Sequence, residues 1–127
     1  MVKFEKSGSN AVTGAVRAAR AITKRDKIAY CGSAGVWHDW QAIMVSRNEG
    51  VPEFNRQLIK LFDYNDIEGL EQIFKDNPHE IAAVVIEPTH FEKPKNDFLK
   101  IVRELTQKHN SLLILDEIVT GFRFDIQ

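Results

Sequence analysis

Two acids end a run of four aliphatic residues in this chain. Leu112-Leu113-Ile114-Leu115 leads directly into Asp116-Glu117, and Ile118-Val119-Thr120-Gly121-Phe122-Arg123 comes next. Four consecutive aliphatic residues read as a strand buried on both faces, the usual state of a central strand in a parallel sheet. In open α/β sheets, ligands bind beyond the carboxyl ends of the strands. A carboxylate there stabilises a protonated group if a site is built around it, and otherwise marks where the strand meets water. Two further stretches have the same character. Ile81-Ala82-Ala83-Val84-Val85-Ile86 ends in Glu87-Pro88, and Ser7-Gly8-Ser9-Asn10 is a small-residue turn ahead of a helical pattern. Such a turn points backbone N–H groups and the positive helix end at whatever lies above it, which favours a phosphate. Gly8 permits close backbone approach, while Ser9 and Asn10 add side-chain donors. An ordinary N-cap uses the same residues.

Other chemistries find less support. Leu-Leu-Ile-Leu-Asp-Glu matches a Walker B strand, but a P-loop needs G-x-x-x-x-G-K-[ST], and no Gly-Lys pair occurs in the chain. Gly8 and Gly32-Ser33-Ala34-Gly35 do not make the G-x-G-x-x-G dinucleotide fingerprint. His38-Asp39 has no Cys/His cluster beside it to suggest a metal. Cys31 lacks a partner base and reads as a small buried residue. Trp37 and Trp40 read as core or interface residues before any other consideration.

These residues need elements to position them. Val2-Lys3-Phe4-Glu5-Lys6 alternates and reads as a short strand, whose start at the first residues suggests that sequence is missing upstream. From the Ser7–Asn10 turn to Thr23 the pattern is helical, with Val12, Ala15, Val16, Ala19 and Ile22 on one face. Lys27 to Cys31 is a second strand. Residues 46–65 are the least regular, broken at Gly50-Val51-Pro52. Asn65-Asp66 caps a helix to about Lys75, with Ile67, Leu70, Ile73 and Phe74 inward. Ile81 to Ile86 is a third strand, a helix runs from about Asp97 to His109, and the run before Asp116 is the fourth strand. Strands alternating with amphipathic helices predict βαβ units: an α/β fold with a mainly parallel sheet and helices on both faces.

The chain has 127 residues, a formal net charge of −1 and a pI near 6.4. One domain with a modest core fits that length. Interspersed charges argue against a nucleic-acid or membrane-surface protein. A single cysteine fits a reducing compartment. No apolar run approaches the roughly 20 residues that span a bilayer, and Lys3, Glu5 and Lys6 interrupt any signal-peptide core. The expectation is a cytoplasmic protein.

Taken in order, the segments resemble the class III pyridoxal-phosphate-dependent aminotransferases. Ser7-Gly8-Ser9-Asn10-Ala11 is similar to the S-G-[ST]-[ED]-A phosphate loop of that family. Val16-Arg17-Ala18-Ala19-Arg20-Ala21 and Arg25-Asp26-Lys27-Ile28 are similar to the helix and strand that come next there. Ile86-Glu87-Pro88 matches the family's E-P strand end. Leu113 to Arg123 matches its D-E-[VI]-x-[TS]-G-F-R signature. Trp37-His38-Asp39-Trp40 and Glu92-Lys93-Pro94-Lys95 point to the branch resembling glutamate-1-semialdehyde aminomutase.

The resemblance implies part of the large domain of a fold-type I transferase, occupying residues 1–127, with pyridoxal 5'-phosphate as cofactor in the complete enzyme. It implies amino donors and carbonyl compounds as small-molecule substrates, and a homodimer. Asp116 would pair with the pyridine nitrogen and keep it protonated. Ile118 would pack on the ring, Gly8, Ser9 and Asn10 would hold the phosphate, and Glu87 would be a nearby acid. Where the family carries Tyr-His-Gly, with a ring that stacks on the cofactor, this chain reads Ser33-Ala34-Gly35 with an extra Val36 before Trp37. Either Trp37 supplies the ring or stacking is absent. Asn10 stands where an acid is usual. The family's Schiff-base lysine comes after the D-E signature, and no lysine follows Lys108 here. The expectation is an incomplete chain, without its N-terminal segment, lysine strand and small domain, inactive by itself. The alternative is a non-catalytic α/β module or degenerate paralogue that kept the scaffold.

Overall fold

The computed structural model describes residues 2–32, 49–89 and 92–123. Ser33-Ala34-Gly35, Val36, Trp37, His38-Asp39 and Trp40 lie outside them. Four strands form one parallel sheet: β1 (Lys27–Cys31), β2 (Ile59–Phe62), β3 (Ile81–Ile86) and β4 (Leu112–Leu115), in the order β2-β1-β3-β4. The helices are α1 (Gly8–Thr23), α2 (Glu53–Gln57), α3 (Ile67–Asp76) and α4 (Phe98–Lys108).

The core has two layers because side chains alternate across each strand. On one face Val12, Val16 and Ala19 of α1 pack on Ile28 and Tyr30 of β1, Val85 of β3 and the partly buried Ile114 of β4. On the other, Leu70 and Phe74 of α3 and Phe98, Val102 and Leu105 of α4 cover Ala29, Cys31, Val84 and Ile86. All six residues of β3 are buried, as expected of a strand paired on both sides and covered on both faces. The expected parallel sheet with helices on both faces is present.

Three element expectations change. Val2–Lys6 forms no strand: an alternating pattern suits a strand only when a neighbour pairs with it, and this segment has none among the described residues. The strand missing from the irregular stretch is β2, four residues beside β1. β4 lies at the edge of the described sheet rather than at its centre, so Leu112, Leu113 and Ile114 are half-buried and Leu115 is exposed. Ile22 departs from the apolar face of α1 and is 69% exposed, in the last turn before the left-handed C-cap Lys24.

The base of the sheet is tied by side chains. Arg25 Nη1 donates to the carbonyls of Ile81 (3.1 Å) and His109 (2.9 Å), and reaches Ser111 Oγ at 3.4 Å. Ser111 Oγ also donates to the Ile81 carbonyl at 2.8 Å. Lys27 Nζ adds an ion pair with Glu80 and a hydrogen bond to Asn77 Oδ1. These bonds fix the starts of β1, β3 and β4 relative to one another, and so the positions of their far ends.

Candidate cofactor site

The helix N-terminus comes first. Ser7 is extended (φ −149°, ψ 164°) and caps α1, its Oγ accepting from the Asn10 N–H at 3.3 Å. The Ser7 hydroxyl in turn donates to Asn10 Oδ1 at 2.5 Å, a reciprocal arrangement like a capping box. The capping reading therefore holds for Ser7 and Asn10. It consumes the amide oxygen of Asn10 and not its NH2 group. Gly8 and Ser9, at the first two helical positions, donate their N–H groups to no acceptor among the described residues. Those are the orphan donors that every helix start presents, and the first turn carries no acid to neutralise them.

The carboxylates come from strand register. Tyr30 of β1, Val85 of β3 and Ile114 of β4 form one row on the α1 side. Two residues further along, alternation brings Glu87 and Asp116 onto the same side as neighbours. The ladder continues that far, because Asp116 N–H donates to the Ile86 carbonyl at 2.9 Å. Both acids are partly buried. Tyr30 lies one row beneath them, a residue that its sequence context alone did not single out. Burial pushes its phenol well above the ordinary range, with the negative charges of Asp116 and then Glu87 adding to the effect. Burial and the neighbouring acids thus favour the protonated phenol. The signal was available: Tyr30 is two residues from Ile28, on the alternation of a predicted strand that ends beside Gly32.

The opposite parity serves packing. Cys31 turns to the α3/α4 layer, where burial chiefly, with Asp63, Glu87 and Asp66, pushes its thiol up to about 12. A thiol held protonated is a poor nucleophile, so the small-buried-residue reading stands.

The helix start and the acid row meet through Ile118. One carboxylate oxygen of Asp116, Oδ1, accepts from the Ile118 N–H at 3.1 Å. The chain then turns, with Gly121 N–H donating to the Glu117 carbonyl at 2.7 Å. This turn lays the Ile118 side chain against Gly8: a Cβ built on Gly8 would lie 2.5 Å from Ile118 Cδ1 and 3.0 Å from Cγ1. Residues from opposite ends of the sequence thus touch over the carboxyl ends of the strands. Six expected site residues, Gly8, Ser9, Asn10, Glu87, Asp116 and Ile118, fall at this one end of the sheet on the α1 side. Trp37 lies outside the described residues.

A parallel sheet layered by helices, with the start of α1 and two strand-end acids at its carboxyl end, defines an α/β architecture. Comparison with known proteins narrows this. The aminotransferase class-III family model matches residues 1–123, and the chain belongs to that family. It is 34% identical to the glutamate-1-semialdehyde 2,1-aminomutase of Methanococcus maripaludis (strain S2) and 38% identical to that of Aquifex aeolicus, covering 97% and 96% of this chain and 32% of each relative. It is 39% identical to a 3-aminobutyryl-CoA aminotransferase of Cloacimonas acidaminovorans, over 97% of this chain and 30% of that one. Among solved structures it superposes on a transaminase with PLP bound at TM-score 0.81 and 29% identity, covering 94% of this chain and 31% of that one. An ω-transaminase from Sphaerobacter thermophilus matches at TM-score 0.79 and 28% identity, over 90% and 31% of the two chains. The chain thus spans about a third of the length of the curated relatives it matches.

Proposed function

We propose that this chain supplies the pyridoxal-phosphate-binding face of an aminotransferase or aminomutase, which in its complete form moves an amino group between an amino donor and a carbonyl compound. The observation that carries the reading is the meeting of the α1 start with the Asp116 turn through Ile118 and Gly8. A flat ligand with an anionic end and a protonated ring nitrogen suits those two ends. The unpaired Gly8 and Ser9 N–H groups and the Asn10 NH2 would hold the phosphate. Asp116 Oδ1 is engaged by Ile118, and its second oxygen would accept the ring N–H. That hydrogen bond to a charged acceptor favours the protonated ring. Glu87, beside Asp116, raises the local negative charge and strengthens the preference. Ile118 would cover one face of the ring and exclude water from it. When bound, the cofactor supplies an electron-accepting ring for charge developing at the substrate's α-carbon.

The complete protein is proposed to be a cytoplasmic homodimer. No helix among the described residues is long and apolar enough to cross a membrane. Ser33 and Ala34, standing where relatives of the resembled type carry an aromatic and a histidine, favour one second reading: a paralogue that kept the scaffold without the reaction.

Pyridoxine 5'-phosphate tests the assignment, because it has the ring and phosphate but no aldehyde to react with a lysine. Titrated into the 127-residue chain and followed by ligand fluorescence, it is expected to bind more tightly than unphosphorylated pyridoxine. Asp116→Asn is expected to weaken it by about tenfold or more, the worth of a hydrogen bond to a charged group. Undiminished binding by Asp116→Asn would remove Asp116 from the site. With pyridoxal phosphate itself, borohydride reduction and peptide mapping are expected to show no single stoichiometric lysine label; one such label would refute the expectation that this chain lacks the lysine.

A further inference from the structure

The family reading gives Gly8 one task, a backbone N–H for a phosphate. The contacts around it indicate a second. Ile118 Cδ1, Cγ1 and Cγ2 would lie 2.5, 3.0 and 3.1 Å from a Cβ at Gly8. Real Cβ atoms essentially never approach other heavy atoms to 2.5 Å, so a side chain at residue 8 requires the Ile118 side chain, whose terminal Cδ1 is the nearest atom, to move. Nothing about the backbone there calls for glycine: Gly8 is the first residue of a regular helix and is not among the residues with positive φ. Steric space, not conformational freedom, is what a side chain at this position would remove.

Ile118 in turn is tied to the acid, since its N–H is the donor to Asp116 Oδ1 at 3.1 Å. Ile118 is 58% exposed. Its side chain rests on the Gly8 surface and its amide is held by the Asp116 carboxylate. The line of contact therefore runs from the Gly8 Cα to the Ile118 side chain, to the Ile118 amide, and to the Asp116 carboxylate.

We propose that Gly8 is a positioning residue for Asp116: by seating Ile118 it fixes the turn after β4 and aims the free carboxylate oxygen of Asp116 over the sheet end. The identity of the group that oxygen meets rests on the pyridoxal-phosphate reading; the mechanical link does not. On this proposal, displacing the Ile118 side chain from residue 8 is passed on to the Ile118 N–H, weakening its bond to Asp116 and loosening the carboxylate. Both ends of the ligand site then loosen together, although Gly8 touches only one of them.

The test uses the full 127-residue chain in four forms: unaltered, Gly8→Ala, Ile118→Ala and the double variant. NMR reads two signals in each without ligand, the hydrogen-exchange rate of the residue 118 amide and the chemical shift of the Asp116 carboxyl carbon. Gly8→Ala is expected to speed exchange of that amide by roughly three- to tenfold, the loss of one ordinary hydrogen bond, and to move the Asp116 signal. Ile118→Ala removes the three colliding carbons and keeps the amide, so the double variant is expected to match Ile118→Ala alone in both signals. Unchanged signals in Gly8→Ala would overturn the proposal. So would effects that simply add in the double variant, since independent sites add and coupled ones do not. If Gly8→Ala does not fold, refolding in the double variant supports the steric link, and failure of both variants to fold while Ile118→Ala folds overturns it. Pyridoxine 5'-phosphate binding by the same four chains is read separately. Absence of binding in the unaltered chain counts against the cofactor reading and leaves the NMR result on Gly8 in force.

Discussion

Each titratable residue at the carboxyl edge is placed by strand parity, and parity decides what it does. Tyr30 faces α1 beneath Asp116 and Glu87, while its neighbour Cys31 faces α3 and α4. Both are neutral groups whose ionisation burial opposes, so both link stability to pH in the same direction. The Cys31 thiol ionises near 9.0 when exposed and near 12 when folded. A raised folded value means that its contribution is fully present below about pH 9 and is lost as pH rises toward 12. Tyr30, raised from 10.0, adds to the same alkaline loss. Denaturant melts recorded from about pH 8 to 11 are expected to show falling stability, and Cys31→Ala is expected to flatten the decline above about pH 9 without abolishing it. An identical slope in Cys31→Ala would show that the thiol is not held protonated in the folded chain.

At the level of elements, the stitched base of the sheet carries the geometry of the open edge. Arg25 spans the starts of β3 and β4 from the turn before β1, through bonds to the Ile81 and His109 carbonyls. Replacing it with Met keeps much of the aliphatic stem and removes both charged donors. Arg25→Met is expected to cost about 1–3 kcal/mol in equilibrium unfolding, the range for a hydrogen bond involving a charged group. A variant as stable as the parent would show that the tie is ornamental. The sheet's composition was largely legible: Lys27–Cys31, Ile81–Ile86 and the run before Asp116 are apolar segments with clear stops, and each is a strand. β2 was not, because Ile59-Lys60-Leu61-Phe62 is four residues long and comes straight after the short α2 without a punctuating turn. The edge position of β4 in the described sheet was also hidden, since an aliphatic run reports apolar character and says nothing about which strands pair with it. In the site, Asp116, Glu87 and the α1 start could be picked out by residue type and position at element ends. The Gly8–Ile118 contact could not, because only the three-dimensional path brings the two together.

The whole molecule presents considerable apolar surface. Phe122 and Phe4 are 94% and 92% exposed, and Phe54, Ile118 and Val119 are also mostly exposed. Leu113 and Leu115 line a groove between α4 and the outer side of β4, with Lys100 and Arg103 also in its wall. Apolar area on this scale drives association, and the outer side of β4 offers unpaired backbone groups among the described residues. The isolated chain is therefore expected to self-associate at micromolar concentrations. Sedimentation velocity over a concentration series checks this, and a concentration-independent monomer with a sharp cooperative melt would contradict it.

The hydrogen bond from Asp116 N–H to the Ile86 carbonyl has a consequence for how this region tolerates change. It makes the identity of the acid on the α1 side a matter of odd and even. Deleting one residue between Leu112 and Leu115 shifts the reading frame of the strand by one, sends Asp116 to the α3/α4 side and offers Glu117 in its place. The incoming carboxylate is one methylene longer, and the Asp116–Ile118 turn no longer starts at the ladder's end. Deleting two residues restores parity and shortens the reach instead. Length variation in this strand is thus filtered in steps of two, a constraint imposed by the pleat and independent of any individual contact in the site.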